Sequence, residues 1–269
     1  NGRIERSNTL LFSCLMDSLL VHFKGEEDFV KRYLDILNEV DRYQSLHLTE
    51  FLNPRQQTIL QSLIGRFDGL KLVFDGGIVN SESKRCIIVP EYYEIETSDF
   101  QIHLFKVQYS SKFEKLKHSD ILGALMSSKI KRELFGDIVI NDQAYFVCDE
   151  KIAPLIMQEL QSIRKTKVKL VSSDEVIENK IEYTIRSFFV ASFRLDVLLS
   201  AFYHLSRSEI NRYIQAGFVK VNHKEVVEKQ FLCNNMDVLS FKHHGRVKIV
   251  DTGRITKQGN HVVEGYFYK

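Results

Sequence analysis

The stretch "LSRSEINRYIQAGFVKVN", Leu205–Asn222, decides the fold of the carboxyl-terminal third. It reads as a helix, a stop and a strand. Ser206 is placed to cap the helix, and Glu209, three residues on, to reach back as the second half of a capping box. Ile210, Tyr213 and Ile214 recur at helical spacing and face inward. Gly217 supplies the left-handed stop. The next residues alternate, with Val219 and Val221 on one face and Phe218, Lys220 and Asn222 on the other. Asn222-His223-Lys224 makes a tight turn into "EVV". Immediately upstream, "RLDVLLSAFYHL" forms a first short helix with a core stripe of Leu195, Leu198, Leu199 and Phe202. Asp196 lies in its first turn, where a carboxylate meets the positive end of the helix dipole.

Core and caps account for only half of this pattern. They do not require Arg194, Arg207, Arg212, Lys220, His223 and Lys224. A solvated surface explains any one of these alone. As a set, two short helices and a strand-turn gather them at one edge. There guanidinium forks and ammonium groups suit phosphate oxygens, and Asn222 and a helix amino terminus add polar donors.

The rest of the chain frames that edge. It has 269 residues, 44% hydrophobic and 27% charged, with no run long enough to span a bilayer. The formal net charge of +2 does not itself mark a nucleic-acid binder. Its distribution is uneven. Residues 185–269 hold 13 Lys+Arg and 7 Asp+Glu, a balance of +6, and the totals of 37 and 35 leave 24 and 28, or −4, for residues 1–184. Such asymmetry marks an electrostatic module on a neutral or acidic body. Cys14, Cys86, Cys148 and Cys233 are far apart, with no C-x-x-C pair, which argues against zinc and against a disulfide framework and fits a reducing cytosol. His243-His244 has no ligand partner at suitable spacing, so no metal site is expected. The opening "NGRIERSNTLLFSCLMDSLL" resembles a weak export signal, but Asp17 interrupts its apolar run and no cleavage motif follows. A natural start at Met16 is the plainer reading, and a cytoplasmic location is expected.

Three domains are expected, at 1–98, 99–180 and 181–269, in an α+β chain. In the first, residues 27–43 show helical periodicity, Asn53 caps a second helix with Pro54 at its first position, and "LKLVFDGG" and "RCIIVPEYY" read as strands. The second domain follows the order β-α-β-β-α-β: "QIHLFKVQYS", then "SDILGALMSS" capped by Ser119, "GDIVIND", "AYFVCDE", "IAPLIMQELQSIRK" beginning near Pro154, and "KVKLVSS". That is the ferredoxin-like plait. The common single-strand RNA-recognition module shares it, but needs stacking aromatics on a central strand, for which Tyr145 and Phe146 are thin support. Scaffold and accessory RNA contact both stay open for the plait. Residues 172–187 read as a polar joint into the third domain, two short helices with a small β-sheet.

Over about residues 190–245 the chain closely resembles the RNA-binding module named for ribosomal protein S-four. The matching features are Arg194-Leu195-Asp196, Ser206-Arg207, Ile214, Gly217, Val219, Val221-Asn222, Val226 and Asp237. The family usually has Asn-Gly where this chain has Asn222-His223, which puts the turn geometry in question. The module's place after a plait and a helical segment, with a tail containing "GRVKI" and "GRITKQG", resembles the YlmH-like bacterial RNA-binding proteins. The resemblance implies an RNA-contacting set of Arg194, Ser206, Arg207, Arg212, Lys220, Asn222, His223, Lys224 and Arg246. It also implies rRNA and tRNA as partners on the large ribosomal subunit, in rescue of stalled nascent chains. No membrane, no small-molecule cofactor, no catalytic residue and a monomer off the ribosome are expected with it.

The strongest rival is a pseudouridine synthase, since those enzymes often carry the same module. Their catalytic aspartate sits in an "RLD" that continues toward Thr-Ser-Gly; here Arg194–Asp196 continues "VLLSAF" and opens a helix. A tyrosyl-tRNA synthetase fragment would need "HIGH"- and "KMSKS"-like stretches, and no G-x-x-x-x-G-K-[ST], H-E-x-x-H or G-x-S-x-G is present. A protein-interaction body with a generic basic end is the remaining alternative.

Overall fold

The computed structural model describes Phe23, residues 25–110, 115–127 and 129–269. Cys14, Asp17, Met16 and the export-like opening lie outside the described residues. The chain divides into two compact units, residues up to Asn179 and Lys180–Lys269. It is α+β, as its residue pattern predicts.

The amino-terminal unit opens with α1 (Glu27–Tyr43), which buries Val30, Tyr33, Leu34, Leu37 and Val40. Helix α2 (Pro54–Ile64) starts at a capping box in which Asn53 Oδ1 accepts from the Gln56 amide at 3.0 Å and Gln56 Oε1 accepts from the Asn53 amide at 2.9 Å. The two helices share a core with an antiparallel sheet in the order β1 (His47–Leu48), β3 (Arg85–Pro90), β2 (Leu70–Asp75).

The plait follows: β4 (Ile102–Gln108), α3 (His118–Ser127), β5 (Phe135–Ile140), β6 (Ala144–Asp149), α4 (Ala153–Glu159) and β9 (Lys169–Ser172). Its sheet runs β5-β6-β4-β9, all antiparallel, the order a split βαβ requires. Two local expectations are corrected. Helix α3 begins at His118, so Ser119 is inside its first turn, and the Asp120 carboxylate accepts the Lys117 amide at 2.9 Å in place of a serine cap. Helix α4 stops at Glu159, and residues expected to extend it form a small hairpin, β7 (Ser162–Ile163) with β8 (Thr166–Lys167).

Both faces of the plait sheet are covered. One carries Phe105, Val107, Ala144, Phe146 and Cys148 onto α3 and α4. The other carries Val139, Tyr145 and Val147 against Phe51, Ile78 and Ile177. Gly136 makes that second layer fit: a Cβ there would stand 2.7 Å from Phe51 Cε1 and 2.5 Å from Val147 Cγ2. Ile177 belongs to the stretch expected to be a polar joint, yet Val79 donates to its carbonyl at 2.8 Å and tethers it to the amino-terminal segment. A buried guanidinium locks segment and plait together. Arg85, 4% exposed, donates from Nε to the Thr49 carbonyl at 2.8 Å and from Nη1 to the Gln101 carbonyl at 3.1 Å, and pairs with Asp149 Oδ2 at 3.2 Å. Burial of this charge is tolerable because its donors meet acceptors. The thiols of Cys86, Cys148 and Cys233 are free and buried, and burial pushes those of Cys148 and Cys233 up to about 12.

The carboxyl-terminal unit packs α5 (Leu195–Tyr203) and α6 (Arg207–Gln215) on one face of a six-stranded antiparallel sheet. Its order is β10 (Tyr183–Val190), β15 (His261–Tyr268), β14 (Gly245–Ile255), β13 (Val238–Phe241), β11 (Val219–Val221), β12 (Lys224–Glu225). Leu195, Leu198, Leu199, Phe202, Ile210 and Ile214 meet Val219, Val221, Leu239, Phe241, Val247, Ile249 and Val263 in one core. Among the described residues, no helix is long and apolar enough to cross a membrane.

Candidate nucleic-acid interface

Arg194 and Arg207, at the starts of the two helices, converge on one carboxylate. Asp196, in the first turn of α5, is 3% exposed. Arg194, the residue at the helix boundary, donates to it twice, Nε to Oδ1 and Nη2 to Oδ2, both at 3.0 Å. Arg207, the first residue of α6, brings its Nη2 within 3.5 Å of Oδ2. Asp196 therefore does more than face a helix dipole: it holds two guanidinium groups where both helices start. The Arg207 side chain stays 57% exposed and that of Arg194 34%, so the cluster presents a fork of two cations over one anion. The Arg194 backbone is fixed from behind, where the Leu195 amide donates to the Phe231 carbonyl at 2.8 Å and Cys233 to that of Phe193 at 2.9 Å.

Ser206 is occupied in the cap. Its Oγ donates to Glu209 Oε2 at 2.7 Å and accepts from the Glu209 amide at 3.2 Å, while its own amide donates to Oε2 at 3.1 Å. These bonds, the side-chain one first, hold the Glu209 carboxyl below its ordinary range. The left-handed end of α6 is Gly217, at φ 74°, with the Glu225 carboxylate packed against its Cα.

The turn after β11 keeps its geometry without the usual glycine. Asn222 and His223 have φ of 48° and 67°, and Val221 pairs with Lys224 across them. Positive φ at both central positions is what a type I′ hairpin turn demands. Asn222 secures it from the side chain: Nδ2 donates to Asp237 Oδ1 at 2.7 Å and Oδ1 accepts from the Val238 amide at 2.9 Å. Its amide is thus held within the fold, and the role sequence reasoning gave it as an outward donor is taken up by the turn.

The remaining candidates do not gather with this fork at one edge, because strand alternation turns Val219, Val221 and Val247 toward the helices and puts Lys220 and Arg246 on the opposite face of the sheet. Arg212 is exposed on α6, about 140° around the helix from Arg207. Lys220 is exposed on β11, opposite Ser240, which lies opposite Arg246 on β14. Lys224 is half-buried in the turn. Arg246 lies away from the helices, on the sheet face they leave uncovered, with its Cζ 4.4 Å from the Tyr268 ring centre. Sequence reasoning missed its neighbour Lys248 and the tyrosines Tyr183, Tyr266 and Tyr268. The alternation of "GRVKI" and "GYFYK" held that signal.

Comparison with known proteins covers each part of this architecture. Residues 25–93 match the family model "YlmH, N-terminal", residues 96–176 match "Putative RNA-binding domain in YlmH", and residues 193–239 match "S4 domain". A curated relative from Bacillus subtilis (strain 168), "Ribosome-associated protein quality control protein P2", is 34% identical over 247 residues, covering 90% of this chain and 96% of its own length. A solved structure, "Cell division protein ylmH from Streptococcus pneumoniae", is 32% identical and covers 56% of this chain and 92% of that one, with a TM-score of 0.49. With three domain models matched in order and a relative aligned along nearly its whole length, the chain belongs to the YlmH family.

Proposed function

We propose that this chain is a non-catalytic RNA-binding protein that grips structured rRNA and tRNA on the large ribosomal subunit during quality control of stalled nascent chains. One observation carries the reading: Arg194 and Arg207 are held by a single buried carboxylate at the starts of two helices. A guanidinium pair positioned before the ligand arrives loses little freedom on binding and meets phosphate oxygens in forked geometry. The printed name of the Bacillus subtilis relative supports the ribosomal setting, and that setting implies work in the cytoplasm. Asp196 holds two arginines, which supports reading it as a structural carboxylate rather than the nucleophile of a pseudouridine synthase. No cofactor is needed for such a grip, and the chain acts as a monomer until it meets the ribosome.

Co-sedimentation with separated ribosomal subunits tests this. The chain is expected to travel with the large subunit and to be weakened there by Arg207→Ala. Equal recovery on both subunits, or new modified uridines in RNA treated with the pure chain, would overturn it.

A further inference from the structure

The sheet of the carboxyl-terminal unit has one face against the helices and one face without them. Alternation along the strands sends Val247 and Ile249 into the core and Arg246 and Lys248 to the opposite side. The register brings tyrosines beside them: Lys248 lies opposite Tyr266, Tyr266 opposite Ile185, and Tyr268 opposite Tyr183. The Tyr183 ring meets Tyr266 and Tyr268 edge-on, at 5.6 Å and 5.0 Å between centres. Lys248 Nζ stands 4.9 Å from the Tyr183 ring centre and 5.4 Å from that of Tyr266, and Arg246 covers Tyr268. Farther along β10, Ile185 is 54% and Phe189 66% exposed on the same face. The Glu264 carboxylate also belongs to the patch and accepts from the Tyr266 hydroxyl at 3.3 Å.

We infer that this open face is a stacking platform for an unpaired stretch of RNA, with Tyr183, Tyr266 and Tyr268 receiving bases and Arg246 and Lys248 the phosphates between them. The inference rests on the reading of this unit as an RNA binder and adds a second surface and a second RNA class to it. Base–aromatic stacking needs half-exposed rings with cations close by, and a sheet presents them at regular spacing. A protein-docking face would favour the apolar residues alone. Here two cations sit directly on the rings, and Lys220 extends the positive row through Ser240 to Arg246.

The test uses the full chain, a short labelled single-stranded RNA of mixed sequence, and a blunt RNA duplex. Tyr183→Ala/Tyr266→Ala/Tyr268→Ala is expected to weaken single-strand binding by about five-fold or more per ring, with duplex binding little changed. Arg246→Gln/Lys248→Gln, which leaves the packing intact, is expected to weaken it as well, so the result survives poor folding of the tyrosine variant. Thiouridine crosslinks from the single strand are expected on β10 and β15. Unchanged single-strand affinity in the glutamine variant, crosslinks confined to other elements, or a self-association that the tyrosine changes abolish while RNA affinity stays the same would each overturn the inference. If Arg207→Ala weakens structured-RNA binding while the sheet variants alter nothing, the proposed function stands and this inference falls. If the parent chain binds neither RNA, both fall.

Discussion

Two antiparallel sheets in this chain meet the same chemistry with opposite outcomes. In the plait, Tyr145 lies under Lys106, whose Nζ is 5.6 Å from the ring centre, but the Tyr145 hydroxyl and the Lys106 ammonium both bond to Glu175, at 2.9 Å and 3.0 Å. Phe51, Ile78 and Ile177 cover that face, and Phe146 is buried on the other. In the carboxyl-terminal sheet the tyrosines and their cations stay at the surface. On β6, a central strand of the plait, Tyr145 and Phe146 are therefore both buried, whereas the smaller unit keeps both an arginine fork and an aromatic face accessible. Sheet topology alone does not leave aromatic rings at a surface; what covers each face decides it.

The ion pairs carry the same contrast. Arg85 of the amino-terminal unit is sealed in and joins two segments, while Arg194 and Arg207 are held by Asp196 yet remain exposed. The sharpest way to break the comparison is Arg85→Leu. It leaves Asp149 buried without its cation, with an expected loss of about 3–5 kcal/mol in chemical denaturation of the amino-terminal unit. A loss below about 1 kcal/mol would show that the guanidinium joins nothing. Next in size, Gly217→Val forces a β-branched residue into a left-handed turn and against Glu225, at an expected cost of about 2 kcal/mol in the carboxyl-terminal unit. A thermal melt matching the parent contradicts the cap.

Asp196→Asn sharpens the comparison by its sign. It removes a negative charge, so electrostatics alone predicts tighter RNA binding. If Asp196 positions the arginines, binding to structured RNA weakens several-fold and the unit loses about 1–3 kcal/mol. Tighter binding would show that the arginines need no holder. The smallest effect concerns Glu209. Its folded-state carboxyl is depressed by the Ser206 bonds, so its contribution is present above the ordinary carboxyl value of 4.5 and is lost as pH falls through the lower folded value. Glu209→Gln should flatten only that acid limb of a stability–pH curve, and an unchanged limb would mean that the cap carries no charge-dependent part.

Local signals were the legible ones. The caps at Asn53, Ser206 and Gly217, the core stripes of α5 and α6, and the succession of strands and helices along the plait all follow from residues within a few positions of one another. Ser119 misled because Asp120, one residue on, is the better acceptor for the Lys117 amide. The length of α4 was overestimated because apolar residues such as Ile163 serve a hairpin as well as a helix. What covers each sheet was not legible, since Phe51 and Ile177 reach Tyr145 from remote parts of the sequence. Long-range partners also reassigned side chains: Asn222 is held by Asp237, and Arg194 and Arg207 by Asp196. The open aromatic face was half legible, because alternation put Arg246 with Lys248 and Tyr266 with Tyr268, but only the strand register puts those pairs side by side.

The salt dependence of structured-RNA binding reaches the central claim most directly, measured on the parent chain and on Arg207→Ala/Lys220→Ala. Two lost phosphate contacts should weaken binding and lower the log–log salt slope by roughly 1.5. An affinity and a slope both identical to the parent's would remove both cations, the one at the helix start and the one on the open sheet face, from the RNA site.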